Sequence, residues 1–184
     1  EYIYGILEVT PRPITFTSAN DTKVYDGTEL FNNGFTVTSG SYAEGQSGLV
    51  IENTTIINVG TIANDLVINI LDSESNDVTS NYSIEYIYGT LEVTPRPITV
   101  HPDDVIGIYN GTAFTSNTPI VYPGTIVDGQ IISITTSGSQ TNVGVSTNDI
   151  TSVTIMSGDT DVTSNYDITL QVGFKIMRNN GHAN

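Results

Sequence analysis

The sequence contains no cysteine, and its five basic residues stand against twenty acidic ones, for a formal net charge of -15. Without cysteine, disulfides, thiolate catalysis and cysteine-based zinc sites are excluded. Nucleic-acid and anionic membrane surfaces require clustered Lys and Arg, so neither is expected as a partner. No apolar run approaches the roughly 18 residues that a membrane-spanning helix needs, so membrane insertion is not expected either.

Catalytic groups are also scarce. The two histidines, His101 and His182, are isolated in sequence and belong to no metal-ligand pattern. Catalysis needs a nucleophile beside a base, or opposed carboxylates in a cleft, and the acidic residues are instead scattered along the chain. Glycines punctuate turns and form no phosphate-binding loop. The sequence therefore predicts a protein that is not an enzyme and carries no organic cofactor.

Calcium is the one ligand that the acidic residues suggest. Asp159 and Asp161 precede the phrase VTSNY, and Asp72, Glu74 and Asp77 lie in the matching loop of an earlier copy of that phrase. Carboxylate oxygens are the ligands that a hard cation prefers. No EF-hand pattern is present, so the alternative is an acidic loop that is simply solvated. Asp159 and Asp161 are the candidate calcium ligands.

What the chain does have is an internal repeat. Sliding the sequence by 84 positions gives 35 identities without a gap, and EYIYGILEVTPRPIT at residues 1–15 matches EYIYGTLEVTPRPIT at residues 85–99. A third, weaker copy begins at Thr169 with TLQVGFKIM. Self-similarity at a fixed period is the signature of tandem structural units.

The composition of the repeat favours strands. Thr, Ile, Val, Ser and Tyr dominate, and short runs of them are separated by Gly, Asn, Asp and Pro. Strands are predicted in the first copy at residues 14–17, 35–38, 49–52, 66–71, 82–86 and 91–94. The expected fold is all-β, with two tandem immunoglobulin-like β-sandwich modules. The alternative is a pair of β-grasp-like modules, each with one short helix in its variable middle.

The phrase Pro95-Arg96-Pro97 is expected to be the interdomain joint. Proline fixes φ and donates no ladder hydrogen bond, so two prolines favour a stiff extended connection between strands. Residues 11–94 then form repeat domain 1, residues 95–177 form repeat domain 2, and residues 178–184 are a tail. Residues 1–10 become the orphan last strand of a preceding repeat. The alternative boundary makes the phrase the first strand of each module.

The orphan strand has unpaired backbone groups. Residues 1–10 are accordingly expected to be disordered or to pair with a sheet edge, most simply in another molecule. Edge-strand self-association through residues 1–10 is therefore a predicted interaction.

Several tyrosines recur in phase between the copies. Exposed tyrosines could stack on sugars, but recurrence in phase favours packing or turn-locking roles. The recurring pairs are Tyr2/Tyr86, Tyr4/Tyr88, Tyr25/Tyr109 and Tyr82/Tyr166.

The phrases KVYDGT, NVGT, SNYSI and YGTLEVTPRPIT together resemble the YDG and MBG-type repeat domains of bacterial cell-surface proteins and adhesins. The resemblance covers nearly the whole chain, although Gly107 and Asn110 replace the Lys and Asp of the first phrase in copy two. It implies an extracellular location on a bacterial surface or cell wall, and it supplies no catalytic residues.

A structural stalk or spacer is the leading functional hypothesis. Neighbouring repeats of the same protein would be its partners, and it would hold a distal binding region away from the cell wall. The alternative is an adhesive module for a host glycan or matrix protein. Its site would lie where the copies differ most, at residues 29–57 and 113–141.

Overall fold

The computed structural model describes residues 4–171, and the chain divides into two compact units, Glu1–Thr94 (unit 1) and Pro95–Asn184 (unit 2). Within residues 4–171 the only helices are two 3-10 turns, Thr79–Asn81 and Thr163–Asn165. The all-β prediction is confirmed. The helix-containing alternative is wrong for the described residues, because the variable middle of each unit holds only strands, turns and loops. No helix in this part of the chain could cross a membrane.

Unit 1 contains all six strands predicted from sequence and two more, β2 and β5. Its strands are β1 Arg12–Ser18, β2 Asp21–Val24, β3 Phe35–Gly40, β4 Ser47–Asn53, β5 Gly60–Asn64, β6 Leu66–Leu71, β7 Tyr82–Ile87 and β8 Gly89–Thr94. The extra strands are rich in Gly, Ala, Asn, Asp and Lys, residues that are depleted in strands. Their pairing with β8, and not their own propensity, makes them strands.

Two long chain segments each run through two sheets of unit 1. The first sheet has the order β3-β1-β7, and the second has the order β2-β8-β5. β1 continues into β2 and β7 continues into β8, and the two segments lie side by side in parallel, first as β1 with β7 and then as β2 with β8. A third sheet pairs β4 with β6 in antiparallel fashion.

The core of unit 1 lies between these sheets. Alternate residues of β6, LVINIL, point inward, which is the period expected of a half-buried strand. They join an aromatic group in which Phe16 meets Phe35 edge-on, with ring centroids 5.4 Å apart. The buried cluster consists of Ile14, Phe16, Leu66, Ile68, Ile70 and Tyr82.

Unit 2 repeats much of this architecture at the same spacing of 84 residues. Its described strands are β9 Arg96–Pro102, β10 Pro119–Val121, β11 Ile131–Thr136, β12 Ile150–Ser157, β13 Thr160–Asp161 and β14 Tyr166–Leu170. The sheet β10-β9-β14 corresponds to β3-β1-β7, with β9 and β14 parallel. The second sheet has the order β11-β12-β13.

The second proline of each copy of the repeated phrase lies inside a strand, Pro13 in β1 and Pro97 in β9. Only Pro95 separates β8 from β9, and β9 begins at Arg96 as β1 begins at Arg12, two residues before the predicted strand start at residue 14. Pro97 is tolerated because the hydrogen bonds from β9 to the neighbouring segment begin at Thr99, whose N–H donates to Pro123 O at 3.0 Å, so this ladder needs no N–H from Pro97.

Candidate functional site

The phrase Tyr-Asp-Gly-Thr forms a tight turn that a lysine closes. Asp26 Oδ1 accepts hydrogen bonds from Thr28 N at 2.9 Å and Thr28 Oγ1 at 2.8 Å, while Gly27 has a φ of 78°. Lys23 Nζ donates to the same carboxylate oxygen at 2.7 Å. These bonds favour the ionised carboxylate, and the lysine bond is the largest cause of a pKa for Asp26 lowered to about 2.

Unit 2 keeps the turn without the charge. Asn110 Oδ1 accepts from Thr112 N at 2.9 Å and from Thr112 Oγ1 at 2.7 Å, so an amide performs the carboxylate's role. Gly107 stands where the lysine would be, and the ring of Phe114 lies against it. Asn110 and Gly107 therefore remove the negative and the positive charge of the motif, while the hydrogen bonds of the turn are kept.

Acid should weaken the turn of unit 1 and leave that of unit 2 unchanged. Since the folded-state pKa of Asp26 lies below its usual value of 3.8, the stabilisation is complete above that value. It is lost as the pH falls from 3.8 toward 2. A carbon-13 titration of the Asp26 carboxyl group should show a midpoint near 2.

The matched variant for this titration is Asp26→Asn, which copies unit 2. It should reduce the acid dependence of the unfolding free energy of unit 1. A titration midpoint at the ordinary aspartate value would contradict the assignment of the Lys23–Asp26 pair.

A second shared device locks the 3-10 turn of each unit to a distant loop. Tyr82 Oη donates to Gln46 Oε1 at 2.5 Å and accepts from Ala43 N at 2.8 Å. In unit 2, Tyr166 Oη donates to Gln130 Oε1 at 2.6 Å and accepts from the backbone N–H of Val127 at 2.9 Å. Tyr82 and Tyr166 are both buried, so their recurrence in phase has a structural cause.

The candidate calcium ligands do not converge. Asp161 Oδ1 accepts from Thr163 N at 2.9 Å, and Asp159 lies in the turn that leads into β13. Residues 4–171 hold no group of three or more His, Cys, Asp or Glu side chains that could bind a metal ion. In the matching loop Asp72 and Asp77 also accept backbone N–H groups. Asp72, Asp77 and Asp161 each have a lowered pKa because the carboxylate accepts hydrogen bonds from a nearby residue. Asp72 accepts from Asn76, Asp77 from Thr79 and Asp161 from Thr163, as expected for turn-capping carboxylates.

The joint residues and the first histidine are anchored within unit 2. Arg96 Nε donates to Thr125 O at 2.6 Å and Nη2 donates to Thr125 Oγ1 at 2.8 Å. His101 lies in β9, with Nδ1 3.2 Å from the carbonyl oxygen of Pro102. His182, the weak third copy after Gln171 and the predicted tail lie outside the described residues.

A polar cluster fixes the place where the long segments of unit 1 change sheets. Gly89 N donates to Ser18 Oγ at 2.9 Å, and Ser18 Oγ donates to Asn64 O at 2.7 Å. Asn64 Nδ2 donates to Ala19 O at 2.9 Å. A Cβ on Gly89 would lie 2.5 Å from Ala19 O, so the crossing strands approach too closely for any side chain there.

Within the described residues, unit 2 has no counterpart of the β2-β8-β5 sheet. Two segments of unit 2 correspond to β2 and β5, residues 105–108 and residues 144–148. We call them the flanking segments, and neither forms a strand. The clearest effect is on the paired tyrosines, because Tyr25 is 2% exposed and Tyr109 is 61% exposed. Of the two roles predicted for the recurring tyrosines, packing or turn-locking, packing therefore does not apply to Tyr109.

Residues 4–10 are exposed and belong to no sheet. They form no strand, and Tyr4, Ile6, Leu7 and Val9 are almost completely exposed. This agrees with an unpaired segment, although residues 1–3, including Tyr2, lie outside the described residues.

The sequence did not predict β2 and β5, nor the roles of Ser18, Asn64 and Gly89 where the long segments change sheets. The available signals were identities within the repeat, of Asn64-Asp65 with Asn148-Asp149 and of Gly89 with Gly5. A comparison with known protein families, characterised proteins and solved structures finds no match.

Proposed function

We propose that the chain is a structural stalk or spacer repeat of a bacterial surface adhesin, which holds a distal binding region away from the cell wall. The observation that carries the proposal is the parallel pairing of the first and last strands of unit 1. β1 pairs with β7 from Arg12 with Tyr82 onward, and β2 pairs with β8 as far as Val24 with Thr94.

This pairing suits a module that bears tension. A pull on the chain ends acts at Arg12 and at Thr94, at opposite ends of two parallel segments. The load is then shared by all the hydrogen bonds along the pair, which must break together. β9 and β14 pair in the same parallel manner in unit 2.

The repeated residues support the same role. Gly27, Gln46 and Tyr82 and their counterparts in unit 2 close turns or join loops within a unit. The resemblance to surface repeats adds the cellular setting, outside a bacterial cell. In this proposal the partners are neighbouring repeats of the same protein.

Unit 1 should resist force more strongly when it is pulled in shear than when it is unzipped. Because the chain contains no cysteine, handles can be attached at introduced cysteines alone. Optical-tweezers handles at Thr10→Cys and Pro95→Cys load the pair from opposite ends. Handles at Thr10→Cys and Ser80→Cys load the same end, where the hydrogen bonds break one after another.

A clearly higher unfolding force for the first pair of handles is expected. Equal forces in the two geometries would count against a load-bearing spacer. An array of host glycans and matrix proteins tests the alternative. Selective micromolar binding that is lost on changing residues 29–57 or 113–141 would favour the adhesive module.

A further inference from the structure

We propose that residues 5–10, the donor segment, insert between the flanking segments of unit 2 in a second copy of the chain. The donor segment would there become the central strand of a sheet that corresponds to β2-β8-β5. Strand addition of this kind satisfies the backbone groups of an exposed edge and seats alternate side chains. It is independent of the spacer proposal, since it concerns assembly and not load.

Unit 1 provides the template for this sheet. β8 pairs in parallel with β2 and antiparallel with β5, and its residues Leu91 and Val93 are 0% and 1% exposed. The donor segment GILEVT differs from β8, GTLEVT, at one position only. Leu7 and Val9 stand where Leu91 and Val93 are buried.

The register follows from the repeat. Asp21 pairs with Leu91 and Ile62 pairs with Leu91, so Leu7 of the donor should lie between Val105 and Ser146 of the acceptor. The acceptor offers apolar surface at this place, since Val105, Tyr109, Val143 and Val145 are all exposed.

The donor segment also has the glycine that the crossing requires. Gly5 corresponds to Gly89, whose missing Cβ lets two backbones meet. The next residue of β8, Thr90, donates its backbone N–H to Asn20 Oδ1 at 2.7 Å. Asp104 stands at the position of Asn20 in unit 2 and could accept the corresponding N–H of Ile6.

The later copy of the same phrase is a poorer match for the position. Residues 173–178, GFKIMR, correspond to β8 in sequence and lie outside the described residues. The side chain of Leu91 is completely buried in unit 1, and Lys175 stands at the matching position of the sequence. An unpaired buried ammonium group is strongly disfavoured, whereas leucine at that position is not.

Donation to a second copy reproduces a connection that the chain already has. β8 is joined to β9 by Pro95 alone, and the donor segment is joined to β1 by Pro11 alone. The contact is head-to-tail, with different surfaces on the two copies, so repetition gives open chains or rings.

The first test is a disulfide trap between two variants of the full chain. Thr61 pairs with Glu92 in unit 1, so Glu8→Cys in one copy should lie opposite Val145→Cys in another. Directly opposed residues of an antiparallel pair have Cα atoms about 4.5–5.5 Å apart, which a disulfide can bridge. Mild oxidation of the mixed variants should give a heterodimer on a non-reducing gel.

The control replaces the acceptor cysteine with Val67→Cys, an exposed position on β6. Cross-linking that is equally efficient with this control would overturn the proposed register and site.

The second test is sedimentation in an analytical ultracentrifuge over a range of chain concentrations. The native chain should associate in a concentration-dependent manner, and Leu7→Asp with Val9→Asp should abolish the association. Glu8→Gln should leave it intact. Because Leu7 and Val9 are exposed within one copy, the double variant should retain the circular dichroism of the native chain. A native chain that remains monomeric at all concentrations, or association that survives the double substitution, would overturn the proposal.

Discussion

Replacing Phe16 with alanine is expected to lower the free energy of unfolding of unit 1 by about 3–5 kcal/mol. Phe16 is almost completely buried, and its ring contacts Phe35, Tyr42 and Tyr86 with centroids 5.4–6.0 Å apart. Truncation removes buried apolar surface and leaves a cavity among rigid aromatic rings, which cannot collapse fully into it. Loss on this scale is a large part of the 5–15 kcal/mol that typically stabilises a domain.

Hydrogen exchange with mass spectrometry, in increasing urea, can assign this loss to unit 1 because it reports on peptides from each unit separately. Phe16→Val is the matched control, since Val100 occupies the corresponding buried position of unit 2. It should give a smaller loss than alanine. If Phe16→Ala changed the unfolding free energy of unit 1 by less than about 1 kcal/mol, the ring would not be a central packing element.

Replacing Gly89 with alanine is expected to destabilise unit 1 by about 1–3 kcal/mol. Elsewhere a glycine-to-alanine change can stabilise a protein by about 0.4–1 kcal/mol, because the unfolded chain loses freedom. At Gly89 the steric cost dominates, since the new methyl group would lie 2.5 Å from Ala19 O and 2.7 Å from Ser18 O. These are backbone atoms, so relief requires the two crossing strands to separate.

Gly5→Ala is the control for this prediction. Gly5 occupies the same position of the phrase, and no atom lies within 4 Å of a Cβ placed there. The unfolding free energies measured by urea denaturation should therefore fall for Gly89→Ala and stay within about 0.5 kcal/mol of the native value for Gly5→Ala. Equal effects of the two substitutions would mean that the close approach at the sheet switch does not constrain the fold.

The sequence predicted strands wherever β-branched and aromatic residues cluster. Residues 66–71 were predicted with the bounds that β6 has, because alternation of apolar residues carries its own period. β2 and β5 could not be predicted in this way, since DTKV and GTIAN have weak strand propensity. They are strands because β8 lies between them, which is a contact between residues far apart in sequence.

The candidate sites show a similar division. Tyr-Asp-Gly and Asn-Tyr phrases are local, so the turn role of Asp26 and the packing role of Tyr82 could be read from the repeat. The recurrence of Tyr25 and Tyr109 left packing and turn-locking open, and it could not show that only Tyr25 is buried. Packing at that position depends on a neighbouring sheet, which no local phrase encodes.

The parallel pairing of β1 with β7 also determines when unit 1 can fold during synthesis. Thr15 and Glu85, which pair across these strands, are 70 residues apart. Contacts of such long range must pay the entropy of closing a large loop before they contribute stability, and they slow folding. A nascent chain that has emerged only as far as β6 therefore lacks one of the two partners of β1, and it lacks β8, with which both β2 and β5 pair. Unit 1 should stay unfolded on the ribosome until its last strands emerge, and should then fold in a single late step.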